Sequence, residues 1–210
     1  TSVSDISSIA TIAASVLLFN DTSVHATAGY RRSFGRSVRL VRDTVGYVPD
    51  TTTPSDALTG AFSVSADKQV RFSRGNLQYT QSTQTWSFAE HQYDYLGEAN
   101  ITVNDDGYRV LADKIDMFGF GTGDNPTETS TNYEDYQKFT DWGTNIIGSD
   151  APNTWRTLTL EEWQYLYMNT RWTIGTINGI LGFMLFPNDF ITPTGMTINM
   201  LSNGNLTNNY

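Results

Sequence analysis

Short apolar segments separated by polar turns limit what this chain can fold into more than any other feature. Residues 61–64, 69–72, 76–79 and 85–88 are rich enough in apolar and β-branched side chains for strands, but each is too short for a stable helix. Strands so short and so closely spaced predict antiparallel pairing. A further apolar strand is predicted over 182–186, where a Pro-Asn-Asp turn ends it.

One helix is predicted, over about residues 160–169. Thr159 and Glu162 have the spacing of a capping box, in which a hydroxyl and a carboxylate satisfy free amide donors at a helix start. Trp163, Leu166 and Tyr167 then fall on one face. Short strands combined with one or two helices predict the α+β class.

The first sixty residues are less regular. Residues 5–17 place apolar side chains at helical spacing, yet 14–19 can equally form a strand closed by an Asn-Asp-Thr turn, and periodicity leaves both open. Residues 36–42 predict a strand with one buried face, although the alternation is imperfect. Residues 44–60 contain two prolines and few core-forming side chains, which predicts a linker between a portion at 1–43 and a portion at 61–210.

Charge is distributed unevenly along the chain. Residues 1–46 carry five arginines and three aspartates, net +2, whereas the remainder carries 8 basic and 19 acidic side chains, net −11. Phosphate binding needs clusters of Lys and Arg, so the acidic body argues against a nucleic-acid partner. The arginines predict either a small anion-binding patch or, as we favour, the solvent face of a strand.

The sequence also excludes a membrane-spanning helix and any site that depends on cysteine. The longest strongly apolar run, 180–190, is too short to cross a bilayer, so no membrane span is predicted. The chain has no cysteine, which excludes disulfides, thiolate zinc sites and thiol nucleophiles.

Six motifs follow one another in a fixed order along the chain. They are VRFSRGNLQY at 70–79, WSFAEHQYD at 86–94, DMFGFG at 116–121, DWGTN at 141–145, WRTLT at 155–159 and EW at 162–163. Over about residues 58–210 this order resembles the C-type-lectin-like modules of surface or secreted repeat proteins of gut anaerobes, which are related to the formylglycine-generating-enzyme fold. The resemblance implies a C-type-lectin-like fold and a secreted or cell-surface location.

Residues 1–43 resemble the other end of the same module. The stretch 35–43 is similar to its closing strand, and 14–24 is similar to the hairpin before it. The order is therefore inverted, which is expected either for a slice through a tandem array, the origin we favour, or for a permuted unit in which 1–43 completes the sheet of the later portion.

The first portion also resembles the variable segment of proteins diversified by retroelement mutagenesis, which display interchangeable side chains at a ligand surface. Variable segments normally end their chain, and here the segment comes first. The positions where such proteins vary are Val3, Asp5, Ile6, Ile9, Thr11, Ile12, His25, Ala28, Tyr30, Arg31 and Phe34. Aromatic side chains beside arginine are typical of interaction hot spots, so the predicted ligand-binding residues are His25, Tyr30, Arg31, Arg32 and Phe34.

Enzyme chemistry is not predicted. The related formylglycine-generating oxidases depend on cysteine, and no Gly-x-Ser-x-Gly elbow occurs. His91 lies within a family motif beside Glu90, where a packed or hydrogen-bonded structural role is expected rather than catalysis. Most of the tryptophans lie in motifs that resemble structural ones, so core packing is their expected role.

Calcium is the one cofactor for which the sequence offers ligands. Asp105, Asp106 and Asp124, with Asn104 and Asn125, supply loop oxygens of the kind that calcium prefers. No EF-hand spacing occurs, and solvated turn residues are the interpretation we favour. The Asn-x-Thr sequons at Asn20, Asn100 and Asn205 are expected to be accidental if the source is bacterial.

These observations together predict a non-enzymatic ligand-binding or adhesion module with a protein or carbohydrate ligand. The competing hypothesis is a structural segment of a surface fibre or array, in which the N-terminal strands of one chain complete the sheet of the next by strand exchange.

Overall fold

The computed structural model of the chain describes residues 13–19, 24–31, 36–44, 56–127, 139–177, 180–191, 194 and 208–209. These residues fall into two compact units. The first takes its residues mainly from 29–41 and 73–157, and the second mainly from 42–72 and 158–210. Each unit contains residues from both sides of the segment predicted as a linker, of which 45–55 lie outside the described residues.

The described part of the chain is an α+β protein of short strands and one α-helix. The strand pairings with a defined register are antiparallel, except that Trp172–Ile177 pairs in parallel with Asn208–Asn209. The elements are β1 (Ala13–Phe19), β2 (Val24–Arg31), β3 (Arg36–Ser37), β4 (Val41–Asp43), β5 (Phe62–Ser63), β6 (Gln69–Phe72), β7 (Leu77–Thr80), β8 (Thr85–Phe88), β9 (Ile101–Val103), β10 (Arg109–Leu111), β11 (Lys114–Ile115), β12 (Met117–Phe118), α1 (Leu160–Asn169), β13 (Trp172–Ile177), β14 (Ile180–Leu185) and β15 (Asn208–Asn209).

Most strand and helix predictions are confirmed within a residue or two. The predicted strands at 69–72 and 85–88 match β6 and β8, and the helix over 160–169 matches α1. For 13–19 the strand alternative is confirmed, since β1 and β2 form a two-stranded sheet. Residues 1–12 lie outside the described residues.

The first unit is organised around the sheet β11-β7-β8 and the pair β12-β3. Its core is aromatic: the ring of Trp86 lies 4.7 Å from that of Tyr79 and 5.4 Å from that of Phe118, and Phe88 lies 4.8 Å from Trp155. Trp86, Trp142 and Trp155 are buried, which confirms the core role expected for them.

The segment predicted as one strand over 36–42 is interrupted. It pairs as β3 with β12 and joins a second sheet as β4, while 38–40 between them form no strand. Leu40 and Val41 are both fully buried, and consecutive residues of a regular strand point to opposite faces, so the chain must change direction here. The carbonyls of Val38 and Leu40 accept hydrogen bonds from Leu77 and Ser73, each at 2.9 Å.

Arg39 corrects the expectation that the arginines lie on a solvent face. Its guanidinium donates to Asn76 Oδ1 at 2.9 Å, to the Gln92 carbonyl at 3.0 Å and to Gln92 Oε1. Burial lowers the pKa of Arg39 to about 10. The side chain thus holds segment 36–44 against the loops that carry Asn76 and Gln92.

The second unit contains the sheets β4-β6-β5 and β14-β13-β15, with α1 beside β5. The predicted capping box begins α1: Glu162 N–H donates to Thr159 Oγ1 at 3.2 Å, and Thr159 N–H donates to Glu162 Oε2 at 3.0 Å. Lys68 Nζ lies 3.0 Å from the buried Glu162, and Leu166 is fully buried. These contacts fix the position of α1, whose C-terminal end borders the candidate site.

No helix in the described ranges has the length and apolarity needed to cross a membrane.

Candidate functional site

A cleft of about 270 Å³ opens in the second unit, at the C-terminal end of α1. This volume lies just below the usual range for small-molecule sites, about 300–1,000 Å³. Three stretches of chain line the cleft: one residue of β5, the end of α1 with the two residues after it, and the turn after β14. The lining residues are Ser63, Tyr165, Asn169, Thr170, Arg171, Phe186, Pro187 and Asn188.

The turn after β14 is fastened to β5 by Asn188. Its side chain donates to Ser63 Oγ at 2.6 Å and accepts from Ser63 N–H at 3.3 Å, while its backbone N–H donates to the Ala61 carbonyl at 3.0 Å. A Cβ added to Gly60 would lie 2.5 Å from Pro187 Cβ, so the approach of the turn depends on that glycine. The side chain and the backbone of Asn188 therefore both hold this wall of the cleft in place.

The opposite wall is set by the end of the helix. Asn169 donates from its side-chain amide to the Tyr165 carbonyl at 2.8 Å, and Thr170 N–H closes the last turn on the Leu166 carbonyl at 2.9 Å. Phe186 N–H donates to the Arg171 carbonyl at 3.0 Å, which ties the two walls together. The cleft is thus preformed by hydrogen bonds within one unit.

Its surface combines apolar and polar groups. Tyr165, Phe186 and Pro187 supply apolar faces, and the Phe186 ring lies 4.8 Å from that of Phe190. Within the described residues, the Tyr165 and Thr170 hydroxyls and Asn169 Oδ1 have no hydrogen-bond partner. The exposed lining is more polar than apolar, which suits a polar ligand that also offers an apolar face.

The ligand-binding residues predicted from the sequence cannot be placed against this cleft. His25, Tyr30 and Arg31 lie on β2, whose side chains are outside the described part of the structure. Arg32 and Phe34 lie outside the described residues altogether. Their role in ligand binding stays a prediction.

The proposed calcium ligands occupy two separate loops. Asp105 and Asp106 are exposed in the turn between β9 and β10, and Asp124 is exposed in the loop after β12. In the described ranges, no three His, Asp or Glu side chains come close enough together to hold a metal ion. Calcium binding by these residues therefore also stays a prediction.

His91 makes local contacts of the kind expected for a structural residue. Its Nδ1 lies 3.1 Å from Asp94 Oδ2, and its backbone N–H donates to the same oxygen at 2.9 Å. The imidazole also stacks on Tyr93 with 5.1 Å between ring centroids. The sequon at Asn100 is inaccessible, since that residue is fully buried and its side-chain nitrogen donates to Asp116 and Gly97. Asn20 and Asn205 lie outside the described residues.

Sequence reasoning missed the residues of the cleft. Tyr165 and Asn169 are four residues apart and so share one face of α1. The Pro-Asn-Asp turn at 187–189 predicts the end of a strand but not a wall of a cleft. The sequence signal for the cleft is a helix end with polar and aromatic residues, followed after the β13–β14 hairpin by the Pro187-Asn188 turn. Pairing those two segments required the sheet topology.

Comparison with protein-family models, curated proteins and solved structures found no match. The resemblance to C-type-lectin-like modules is therefore carried by the sequence motifs alone.

Proposed function

We propose that the chain is a non-enzymatic ligand-binding or adhesion module, secreted or displayed at a cell surface, on a C-type-lectin-like scaffold. The observation that carries the proposal is the preformed cleft at the end of α1, where apolar faces adjoin hydroxyl and amide oxygens that have no partner among the described residues. Such a surface binds a small polar ligand through stacking and a few hydrogen bonds, and needs no reactive group.

The cleft favours a carbohydrate over a flat protein epitope. Its volume of about 270 Å³ suits one sugar ring, and aromatic faces beside hydroxyl and amide groups match the alternating C–H and O–H surface of a sugar. Residues 25–34 are a second candidate region on the sequence resemblance alone, which implies that their side chains would bind a larger partner.

A glycan and protein array, followed by calorimetric titration of the hits, tests the proposal. Tyr165→Ala and Asn169→Ala should weaken binding at the cleft at least tenfold, whereas Met168→Ala should leave it unchanged, because Met168 is 80% exposed on the same helix and does not line the cleft. Blank arrays, or equal losses in all three variants, would contradict the role of the cleft.

The second surface has its own test. Replacing Tyr30, Arg31 and Phe34 together by Ala should weaken binding of a protein ligand while the melting temperature stays nearly constant. A large fall in melting temperature would instead assign these side chains to the core.

A structural role by strand complementation is the second candidate, and one observation favours it. Residues 36–43 contribute β3 and β4 to two sheets whose other strands all come from beyond residue 60. The same pairing between two chains would build a fibre. Size-exclusion chromatography with light scattering separates the hypotheses: a ladder that grows with concentration supports the fibre, and a single monomeric species contradicts it.

A further inference from the structure

The cleft is a positive site on an acidic protein. Among the described residues that line it, Arg171 is the one that carries a charge, in a chain whose net charge is −9. From residue 170 to the end, the sequence holds only one other charged residue, Asp189, which is exposed and not among the lining residues. The described lining residues therefore offer a ligand one cationic residue and no carboxylate.

The Arg171 guanidinium is oriented but not neutralised. Its Nη2 donates to the Phe190 carbonyl at 2.6 Å, and its central carbon lies 5.7 Å from the centroid of the Phe190 ring. Within the described residues, no carboxylate lies at ion-pair distance from it. One of the five N–H groups is thus used for positioning, and four stay available in a planar fork that fits a carboxylate in bidentate fashion.

The remaining groups of the cleft suit a ring that carries hydroxyls. The Tyr165 and Thr170 hydroxyls can each donate and accept, and Asn169 Oδ1 can accept. Phe186 and Pro187 offer apolar faces opposite the helix end. A peptide carboxyl terminus would also use the arginine, but a hydroxylated ring presents more hydrogen-bonding groups to these side chains over the same area.

We propose that the ligand is an acidic sugar, with its carboxylate on Arg171 and its ring hydroxyls on the end of α1. This inference rests on the proposed function and narrows it from a small polar ligand to a carboxylate-bearing pyranose. The charge of the cleft selects the carboxylate, and its hydroxyl and amide oxygens select the sugar.

The test is a calorimetric titration of the whole chain with paired probes: D-glucuronate against D-glucose, D-galacturonate against D-galactose, and triglycine as a carboxylate without a sugar ring. We expect one acidic sugar to bind about tenfold or more tightly than its neutral partner, because a charge-assisted bidentate contact is worth that much. Raising the salt from 50 to 500 mM should reduce this preference.

Single substitutions test whether the preference for the acidic sugar depends on Arg171 itself or only on the net charge of the protein. Arg171→Gln should abolish the preference for the acidic sugar, Arg171→Lys should retain part of it, and Arg109→Gln, at an exposed position of β10 in the first unit, should leave it unchanged. Asp189→Asn should strengthen binding of the acid about two- to threefold by removing a nearby repulsion. Circular dichroism melts show whether each variant is folded.

The outcomes are distinguishable. Equal binding of acidic and neutral sugars, or a preference that survives Arg171→Gln, overturns the inference and leaves the proposed function standing. Triglycine binding as tightly as the acidic sugar assigns the site to carboxylates in general and also overturns it. Failure of every probe, together with blank glycan and protein arrays, removes the proposed function itself.

Discussion

Asn100 and Asp116 form a fully buried pair in the first unit, and their exchange of hydrogen bonds gives a sharp test of how this unit is held together. Asn100 Nδ2 donates to Asp116 Oδ1 at 2.7 Å, and Asn100 Oδ1 accepts from Asp116 N–H at 2.7 Å and Met117 N–H at 3.1 Å. Leu96 N–H donates to the other Asp116 oxygen at 2.6 Å. The pair therefore joins the 3₁₀ helix at Gly97–Asn100 to the start of β12.

Asp116→Asn should destabilise the protein by about 2–4 kcal/mol. Both carboxylate oxygens accept hydrogen bonds, so an amide at this position places a donor against either Leu96 N–H or Asn100 Nδ2. Asn100 cannot rotate its amide in response, because its oxygen already accepts two backbone N–H groups. A buried unsatisfied donor costs about 1–3 kcal/mol, and the lost bond to a carboxylate adds part of another 1.5–3 kcal/mol.

Asn100→Asp should make stability depend on pH. The new carboxylate would face Asp116 at about 2.7 Å, and two carboxylates this close cannot both be ionised, so the folded state binds a proton that the unfolded state lacks at neutral pH. Stability should therefore fall as the pH rises above about 4, where an Asp in the unfolded chain loses its proton. Combining both changes restores a donor facing an acceptor between the two side chains, and should recover about 1 kcal/mol or more beyond additivity.

Urea unfolding followed by fluorescence of the buried tryptophans measures these effects. The matched control is Asp113→Asn, because Asp113 also accepts two hydrogen bonds, from Ser82 N–H at 2.7 Å and Ser82 Oγ at 2.9 Å, but is exposed. We expect the control to cost less than about 1 kcal/mol. A loss for Asp116→Asn no larger than the control, or an Asn100→Asp variant insensitive to pH, would refute the reasoning.

Three further predictions concern other parts of the fold. Gly143→Ala should lower the free energy of unfolding by at least about 2 kcal/mol in chemical denaturation, because its Cβ would overlap the Trp155 carbonyl. The control is Gly107→Ala, at φ +81° with open space around it, which should lower it by only about 1–2 kcal/mol. Thr159→Ala should cost about 1 kcal/mol by removing the cap of α1, whereas Thr159→Ser should retain most of the stability. Arg39→Lys should cost about 1–3 kcal/mol, since one ammonium cannot span its two amide partners, and a thermal midpoint equal to that of the wild type would show that the fork is not needed.

Secondary structure was predictable where the residues that stabilise an element lie within the element itself. The helix at 160–169 is an example, because Thr159 and Glu162 specify its start and an apolar face specifies its burial. Segment 36–42 shows the limit. Its break into two strands follows from the consecutive burial of Leu40 and Val41 among residues far along the chain, and local periodicity contains no such information.

The candidate site depended even more on tertiary structure. Asn188 contributes to the cleft because its amide reaches Ser63, a residue of a different strand, and Arg171 is oriented by Phe190 across a hairpin. Sequence reasoning instead selected aromatic and basic residues near position 30 by composition. Composition can rank residue types for binding, but a cavity arises only when distant segments meet.

The pairing of Val41 with Arg156 affects the order in which the chain folds during synthesis. Val41 exchanges both of its backbone hydrogen bonds with Arg156, each at 2.9 Å. A ribosome produces Val41 long before Arg156, so the backbone N–H and C=O of Val41 stay hydrated until most of the first unit has emerged. Closing so long a loop slows folding. The first unit can therefore complete its folding only after Arg156 has left the exit tunnel.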